Sequence, residues 1–414
     1  MKAAIRRAFP LPAKWKERIL EARAPRELWT AVRRRQLHEE YELRREHYAK
    51  LLEERGLAYD EQRTIGDVRA RLAARGYTPK KRKMGEVHTF AFFPSFSWHH
   101  HLLPDLRELG PVTHFDYHEH GFDYMTLAAA DQRGRAERER MLSLLLPALR
   151  EAHKKRPVDW LFYYGGGQDI SPVLQRKIAE ELGIPSANMS LDDKQGWAGR
   201  QTTDARTGAI DITKEFDVYM TSARVACEWH LAEGGRAIYM PEGFSDAGFH
   251  PLDVEKDIPV SFIGVSYGFR PSIVDDLRKA RLPVQPFGAG WGTKMLSSAE
   301  QLEVINRSRI NLGMGGIEYS ERLTNVKGRD FEIPGTGGGM YLTTFNPDLA
   351  LHFDVGGEIV CYSTRDELIE LLRWYLARPE ECGEIAARAR ARCLREHRWL
   401  HRYERLLQIL GVFE

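Results

Sequence analysis

At 414 residues the chain exceeds the roughly 250–300 that one hydrophobic core can serve, which implies two or three domains and leaves room for a cleft between them. Hydrophobic residues make up 43% and charged residues 29%, and no apolar run approaches the roughly 18 residues that span a bilayer, so a soluble globular protein is expected. The net charge of +2 hides an asymmetry: residues 1–83 hold 23 Lys+Arg against 12 Asp+Glu, a basic arm of +11 ahead of a body of −9.

The opening MKAAIRRAFPLPAKWKER is basic and is not followed by the apolar core of a signal peptide, so a cytoplasmic location is expected. Residues 24–56 place Leu28, Val32, Tyr41, Tyr48, Leu51 and Leu52 near helical spacing among dense charges and read as one or two amphipathic helices. Such an arm packs on its own protein, or serves as a homo-oligomer contact, or as a peripheral contact with an anionic membrane surface. Nucleic acid is not expected as a partner, because interleaved Glu residues dilute the positive field and the body is acidic. TPKKRKMG (78–85) reads as a solvated linker.

From residue 86 short apolar runs alternate with amphipathic segments. Strands are expected over 86–96, 111–117, 158–164, 184–193 and 215–222, with helices over 100–110, 131–153, 171–183 and 223–235. AIYMPEGFSDAGFHPLD (237–253) breaks the pattern. A second series then begins, with strands at 259–265, 283–291, 308–314, 339–345 and 358–364 and helices at 270–282, 297–306 and 365–378. Strands alternating with helices of this length imply right-handed crossovers and parallel sheets. The expected class is therefore α/β, with two Rossmann-like domains facing a cleft: a basic helical extension (1–85), an N-terminal domain (86–240) and a C-terminal domain (241–414). Ligands of such sheets bind beyond the carboxyl ends of the strands.

The stretch VKGRDFEIPGTGGG (326–339) sets one carboxylate, Glu332, between cations and glycines. Read as a helix start and its loop, it lets the backbone N–H groups of Gly337, Gly338 and Gly339 approach an anion, with Lys327 and Arg329 adding charge. Glu332 is misplaced beside phosphate and suits hydroxyls next to it, such as those of a ribose. Phosphates plus sugar hydroxyls mean a nucleotide. The alternative is a tight turn in which Glu332 pairs with Arg329.

The blocks PVSFIGVSYGFRPSIVDDL, PVQPFGAGW, VKGRDFEIPGTGGGMYLTTFNPDLALHF and EIVCYSTRDELIELLRWYLARPEECGEIAARARARCLREHRWLHRYERLL resemble the donor-binding half of GT-B glycosyltransferases, most closely the CgeB-like (spore maturation protein) branch of the group-1 family. The resemblance covers about 150 residues strongly and another 150 loosely, with MPEGFSDAGFHP resembling the interdomain linker. It implies that Glu332, five residues before Gly337, holds the donor ribose. Retaining members often carry a further Glu eight positions before that one; here the position is Thr324, with Glu318 and Glu321 nearby.

Arg270, at the carboxyl end of the strand PVSFIGV, has a guanidinium able to fork onto a diphosphate, and its place in the family pattern implies that role; a surface ion pair with the Asp275/Asp276 turn is the alternative. FGAGW (287–291) resembles the segment beside the nucleobase, with Gly288 and Gly290 permitting close approach and Trp291 offering a stacking face or serving as a core residue. Lys294 is a further phosphate candidate. In the first domain, PSFSWHHH (94–101) follows the first strand, so one of His99, His100 and His101 can act as a base near neutral pH; as a set they suit a metal poorly, because neighbours point to different faces. GGG (165–167) reads as a tight turn or an anion site. Asp192 and Asp193 (SLDDKQGW) suit acceptor binding, base catalysis, a cation or helix capping. Cys227, Cys361, Cys382 and Cys393 lack CxxC spacing, which points to inert thiols.

The expected activity is transfer of a sugar from a UDP-, GDP- or dTDP-sugar donor to a saccharide, protein or small-molecule acceptor, with no obligatory metal and no resident cofactor. The catalytic candidates are His100, His99 and Asp193. A nucleotide-sugar epimerase of the same fold, or a sugar-nucleotide-binding scaffold protein, is the alternative.

Overall fold

The computed structural model describes residues 23–95, 97–203 and 206–414. The basic opening stretch 1–18 lies outside the described residues.

Strands form where short apolar runs can be covered on both faces. In β1 (Thr89–Phe92), Phe90 and Phe92 enter one core while Ala91 and the following Phe93 enter the other, and all four are fully buried. The first sheet is completed by β2 (Val112–Phe115), β3 (Trp160–Tyr163), β4 (Ser186–Ser190), β5 (Val218–Thr221) and β6 (Ala237–Tyr239), all parallel, in the order β2-β1-β3-β4-β5-β6. Its first residues pair in register, Thr89 with both Val112 and Trp160.

The second sheet comprises β7 (Ile258–Ile263), β8 (Val284–Phe287), β9 (Ser308–Leu312), β10 (Met340–Thr344) and β11 (Val360–Tyr362), parallel in the order β11-β10-β9-β7-β8. In each sheet the strand order reverses beside its own first strand. That reversal opens a crevice at the carboxyl ends, where open α/β sheets take ligands.

Helices cover both faces. On one side of the first sheet lie α1 (Arg23–Glu54), α4 (Gln132–Lys155), α5 (Pro172–Leu182) and α6 (Arg224–Ala232); on the other lie α2 (Glu61–Ala74), α3 (Leu102–Leu109) and the last helix, α12 (Trp399–Ile409). The second sheet is flanked by α7 (Arg270–Lys279), α8 (Ser298–Arg307), α9 (Arg329–Thr336), α10 (Arg365–Leu376) and α11 (Pro379–Glu396). Local signals fix the ends: Ser297 and Glu300 cap α8 reciprocally, worth about 1 kcal/mol.

Two elements tie the lobes together. The chain passes through the second domain and then returns, so that Trp399, Tyr403, Leu406 and Leu407 of α12 pack under the first sheet against Ala91, Phe93 and Phe162. Helix α1 spans the other side. Its Tyr48 and Leu52 enter the first core beside Trp197 and Trp229, while its Leu37 packs on Ile317 and Leu323 of a hairpin (Gly316–Ile317 and Ser320–Thr324) in the second lobe. His38 Nε2 lies 2.6 Å from Ser320 Oγ.

Residues 78–85 are mostly solvent-exposed, as expected, but the segment is tied to the fold rather than a free linker. Lys80 and Arg82 converge on buried Asp159 at 3.0 and 3.1 Å, and Arg82 bridges to Phe413 in β fashion. A carboxylate with no other charge to meet draws both cations down. The basic patch is therefore partly neutralised inside the fold.

Candidate active site

A cavity of about 780 Å³ lies where the carboxyl ends of the two sheets face each other. The first lobe contributes Trp98, His100, His101, Tyr164, Asp192 and Glu242, each just beyond a strand of its sheet. The second lobe contributes Gly264 and Val265 after β7, Gly288 after β8, the start of α8, and Lys327, Gly328, Arg329 and Glu332 at the start of α9.

Helix α9 begins at Arg329 with Gly328 as its cap, so its first turn belongs to the cleft, although the N–H groups of Asp330, Phe331 and Glu332 already bond to Lys327 O and Gly328 O. The Glu332 carboxylate lies on the same side, one turn along: a Cβ added to Gly328 would stand 3.4 Å from Glu332 Oε1. Among the described residues no cation lies within 4.0 Å of this carboxylate, so the alternative pairing with Arg329 is not formed. Burial pushes its pKa up to about 7, with Arg329 pulling down and Asp330 pushing up. Asp330 is spent elsewhere, accepting from Lys327 N at 2.8 Å and Tyr341 Oη at 2.6 Å, which fixes the entry into α9.

Arg270 and Arg329 flank the loop after β7. Arg270 Nη1 donates to Val265 O at 3.1 Å and Arg329 Nη1 to Ile263 O at 3.4 Å. Arg270 is 4% exposed, its Nε is buried without a partner, and its guanidinium lies against the Tyr267 ring at 4.4 Å. Burial, and then the charge of Arg329, push its pKa down to about 10. Among the described residues neither guanidinium meets a carboxylate. The pairing of Arg270 with the Asp275/Asp276 turn is absent; Asp276 instead takes Lys279 and Arg365. Such a pair is chemically suited to an anion, and of the two only Arg329 lines the cavity.

Several sequence expectations are corrected here. Gly337, Gly338 and Gly339 do not cradle an anion: they follow the end of α9, where added Cβ atoms would strike Arg390, Asn306 and Ser308 O within 2.7 Å, so their small size serves packing between α9, α11 and β9. Only Gly337, at φ 66°, needs the left-handed conformation, as a helix cap does. Trp291 is not a stacking face in the cleft; its ring packs edge-on against Phe262 and its Nε1 donates to Gly264 O at 2.7 Å, pinning the β7 loop from beneath. Gly290 lets that turn meet Ser266 closely. Lys294 pairs with Glu300 at 2.6 Å on the surface.

The histidines diverge, as a run of adjacent residues must. His100 Nε2 meets Ser298 Oγ of the other lobe at 3.1 Å. His101 packs on Phe249 and Gly248, and burial, followed by His100, pushes its pKa down to about 4. His99 lies between Trp98 and Tyr164 and borders a second cavity rather than this one. Asp193 borders the second cavity with both oxygens engaged by the fold: they accept from Ser190 Oγ and Thr221 Oγ1 at 2.5 Å each, and His230 Nε2 stands 3.5 Å away. Asp192 is half-exposed and reaches Lys327 across the cleft at 3.9 Å. The glycines 165–167 bind no anion either, since added Cβ atoms on Gly166 and Gly167 would strike the backbone of 206–207 and the Gly166 N–H is held by Asp169.

Glu242 was not singled out by the sequence, although it sits in the PEG break after β6. It is 6% exposed with Oε2 unpartnered, and burial, with Asp192 adding and Lys327 opposing, pushes its pKa up to about 8.

A family model described as glycosyl transferase-like matches residues 270–408. No curated protein matches the sequence. The fold is similar to that of sucrose-phosphate synthase from Thermosynechococcus elongatus (10% identity, 78% of this chain and 99% of that one, TM-score 0.51). It is also similar to Anabaena Alr3699/HepE, solved with UDP and glucose (10%, 79% and 100%, 0.50), and to an alpha,alpha-trehalose-phosphate synthase (UDP-forming) from Burkholderia vietnamiensis (11%, 80% and 100%, 0.50). The architecture is GT-B: two parallel α/β lobes facing a cleft, here with helices added at the N-terminal side.

Proposed function

We propose that this chain is a glycosyltransferase that moves a sugar from a nucleotide-sugar donor to an acceptor held by the first lobe. The reading rests on one observation: Arg329, on the cavity wall at the start of α9, meets no carboxylate among the described residues and stands one helical turn from the open acid Glu332, with buried Arg270 close behind it. That arrangement suits a diphosphate beside a diol. The matched family model and the three related folds support it, and a UDP-sugar is the donor class to try first, with GDP- and dTDP-sugars next.

In this reading Arg329, Lys327 and the first turn of α9 receive the negative charge that grows on the departing diphosphate, with Arg270 behind the loop adding to the field. Three cations and a helix start supply this without an obligatory metal. Glu332 accepts the ribose hydroxyls. Lobe closure, already marked by the Lys327–Asp192 and His100–Ser298 contacts, excludes water. Membership of the CgeB-like branch is part of the same proposal.

Calorimetry with UDP, GDP and dTDP tests it. Glu332→Ala is expected to weaken binding of the preferred diphosphate about tenfold or more, the cost of one charge-assisted hydrogen bond. Unchanged affinity, or no binding of any nucleotide by the wild type, would overturn the reading.

A further inference from the structure

A second cavity, of about 560 Å³, opens beside the first on the face of the N-terminal lobe and shares Tyr164, Leu191 and Asp192 with it, so a molecule seated in one borders the other. Its volume falls within the roughly 300–1,000 Å³ of small-molecule sites. We propose that this cavity binds the acceptor and that the acceptor is a saccharide, held through its hydroxyls by Gln168 and Asp169 and through its ring face by Tyr124. The proposal rests on the donor reading above, because an acceptor has meaning only where a sugar is transferred.

The turn GGGQD after β3 builds the polar end. Asp169 is anchored at one oxygen: Oδ2 accepts from Gly166 N at 2.9 Å and from Gln168 Nε2 at 2.7 Å. The second bond also orients the Gln168 amide, because its nitrogen must face the carboxylate and its oxygen is the atom left over. Both remaining oxygens, Asp169 Oδ1 and Gln168 Oε1, are buried without a partner, in residues each 3% exposed that border the cavity. Gln195 Oε1, from the turn after β4, is a third unpartnered acceptor on the same cavity. Buried acceptors are ordinarily paired, so water or a ligand must supply the donors.

The rest of the lining favours a ligand and sets its class. Tyr117, Tyr124 and Tyr164 share this cavity with the orphaned oxygens, and Tyr124 is 47% exposed with Met125 beside it at 68%. An open aromatic ring near buried acceptors suits a molecule with an apolar C–H face and a rim of O–H donors, which describes a sugar ring. An ammonium group would also answer the acceptors, but the wall carries the cation Arg200, and burial pushes the Asp169 carboxyl up to about 7, so no full negative charge is held there near neutral pH. Of the other acids on the wall, Asp192 is turned to Lys327 and Asp193 to Ser190 and Thr221. Glu318 reaches the cavity from the hairpin of the other lobe.

Saturation-transfer NMR on the full chain tests it with maltose, cellobiose, lactose, chitobiose and mannobiose as probes and spermidine as the ammonium control, alongside calorimetry with UDP, GDP and dTDP. At least one disaccharide is expected to bind the wild type. Asp169→Asn, which turns the orphaned acceptor into a donor, and Tyr124→Ala are each expected to weaken that binding about tenfold or more, with nucleotide affinity unchanged within about twofold. Tyr124 lies at the surface, so its variant keeps the test open where Asp169→Asn does not fold. The same disaccharide is expected to raise diphosphate release from UDP-glucose, GDP-mannose or dTDP-glucose about tenfold or more over donor alone, with Tyr124→Ala raising its KM and sparing kcat. Binding of none of the disaccharides, a preference for spermidine, binding that Tyr124→Ala leaves unchanged, or binding without a gain in release from any of the three donors overturns the assignment while nucleotide binding stands. A wild type that binds a disaccharide but no nucleotide instead sinks the donor reading, and with it the acceptor role.

Discussion

Arg270 Nη1 and Arg329 Nη1 hold Val265 O and Ile263 O at the end of β7, close enough for the charge of Arg329 to lower the Arg270 pKa, and among the described residues neither meets a carboxylate. Like charges held this close repel, and on the proposed reading a bound diphosphate relieves that repulsion. Five substitutions, at this pair and elsewhere in the fold, have measurable consequences.

Replacing Arg329 by Gln separates function from stability. The variant is expected to lose roughly tenfold to a hundredfold in diphosphate affinity, since a charge-assisted hydrogen bond contributes about 1.5–3 kcal/mol. Its ligand-free melting temperature is expected to rise, because Arg270 no longer faces a like charge. Calorimetry and thermal melts without ligand check both signs.

Glu242 gives a pH signature. Its folded pKa, raised to about 8 by burial, means that ionising it is costlier in the native than in the unfolded chain. The penalty is absent below the ordinary carboxylate range, grows between about pH 4.5 and 8, and is constant above. Glu242→Gln is therefore expected to match wild type near pH 4 and to be more stable at pH 9, by up to about 4 kcal/mol. Urea unfolding at the two pH values reads the difference.

Asp193 has the opposite sign. Burial pushes its carboxyl up, but His230, Ser190 and Thr221 outweigh that and hold it below the usual range. Its contribution is present above the unfolded carboxylate pKa and fades as pH falls through the lower folded value. Asp193→Asn is expected to cost roughly 3 kcal/mol at pH 7, with the gap closing in acid, as followed by denaturant midpoint.

The arm helix can be tested at Tyr48, whose Oη accepts from Trp197 Nε1 at 2.7 Å and donates to Glu233 at 2.8 Å. Tyr48→Phe strands a buried indole N–H and is expected to lower stability by about 1–3 kcal/mol. If α1 also steadies the lobes, Leu37→Asp, at the hairpin contact, is expected to broaden the interlobe distance distribution in solution scattering while leaving the first lobe folded.

The alternation of apolar runs with amphipathic segments was enough to read both parallel sheets, because strands buried on both faces leave a continuous apolar signature. The hairpin at 316–324 and the strand at 237–239 left no such trace, being too short to show a period: the hairpin strands pair only with each other and the strand at 237–239 holds three residues. Arg270, Arg329, Lys327 and Glu332 stood out as charges beside glycines, but Asp169 and Glu242 did not, since an acid in a loop looks the same whether solvated or buried.

The sequence by itself determined most of the strands and helices of the two parallel sheets and that charges gather near residues 327–332, because periodicity and chemical type are local properties. Only the tertiary structure decided which charges lack partners, that three glycines pack rather than bind, and that the first and last helices fasten one lobe to the other. Those outcomes depend on what approaches each residue from elsewhere in the chain, and burial and pairing are properties of that approach rather than of the residue.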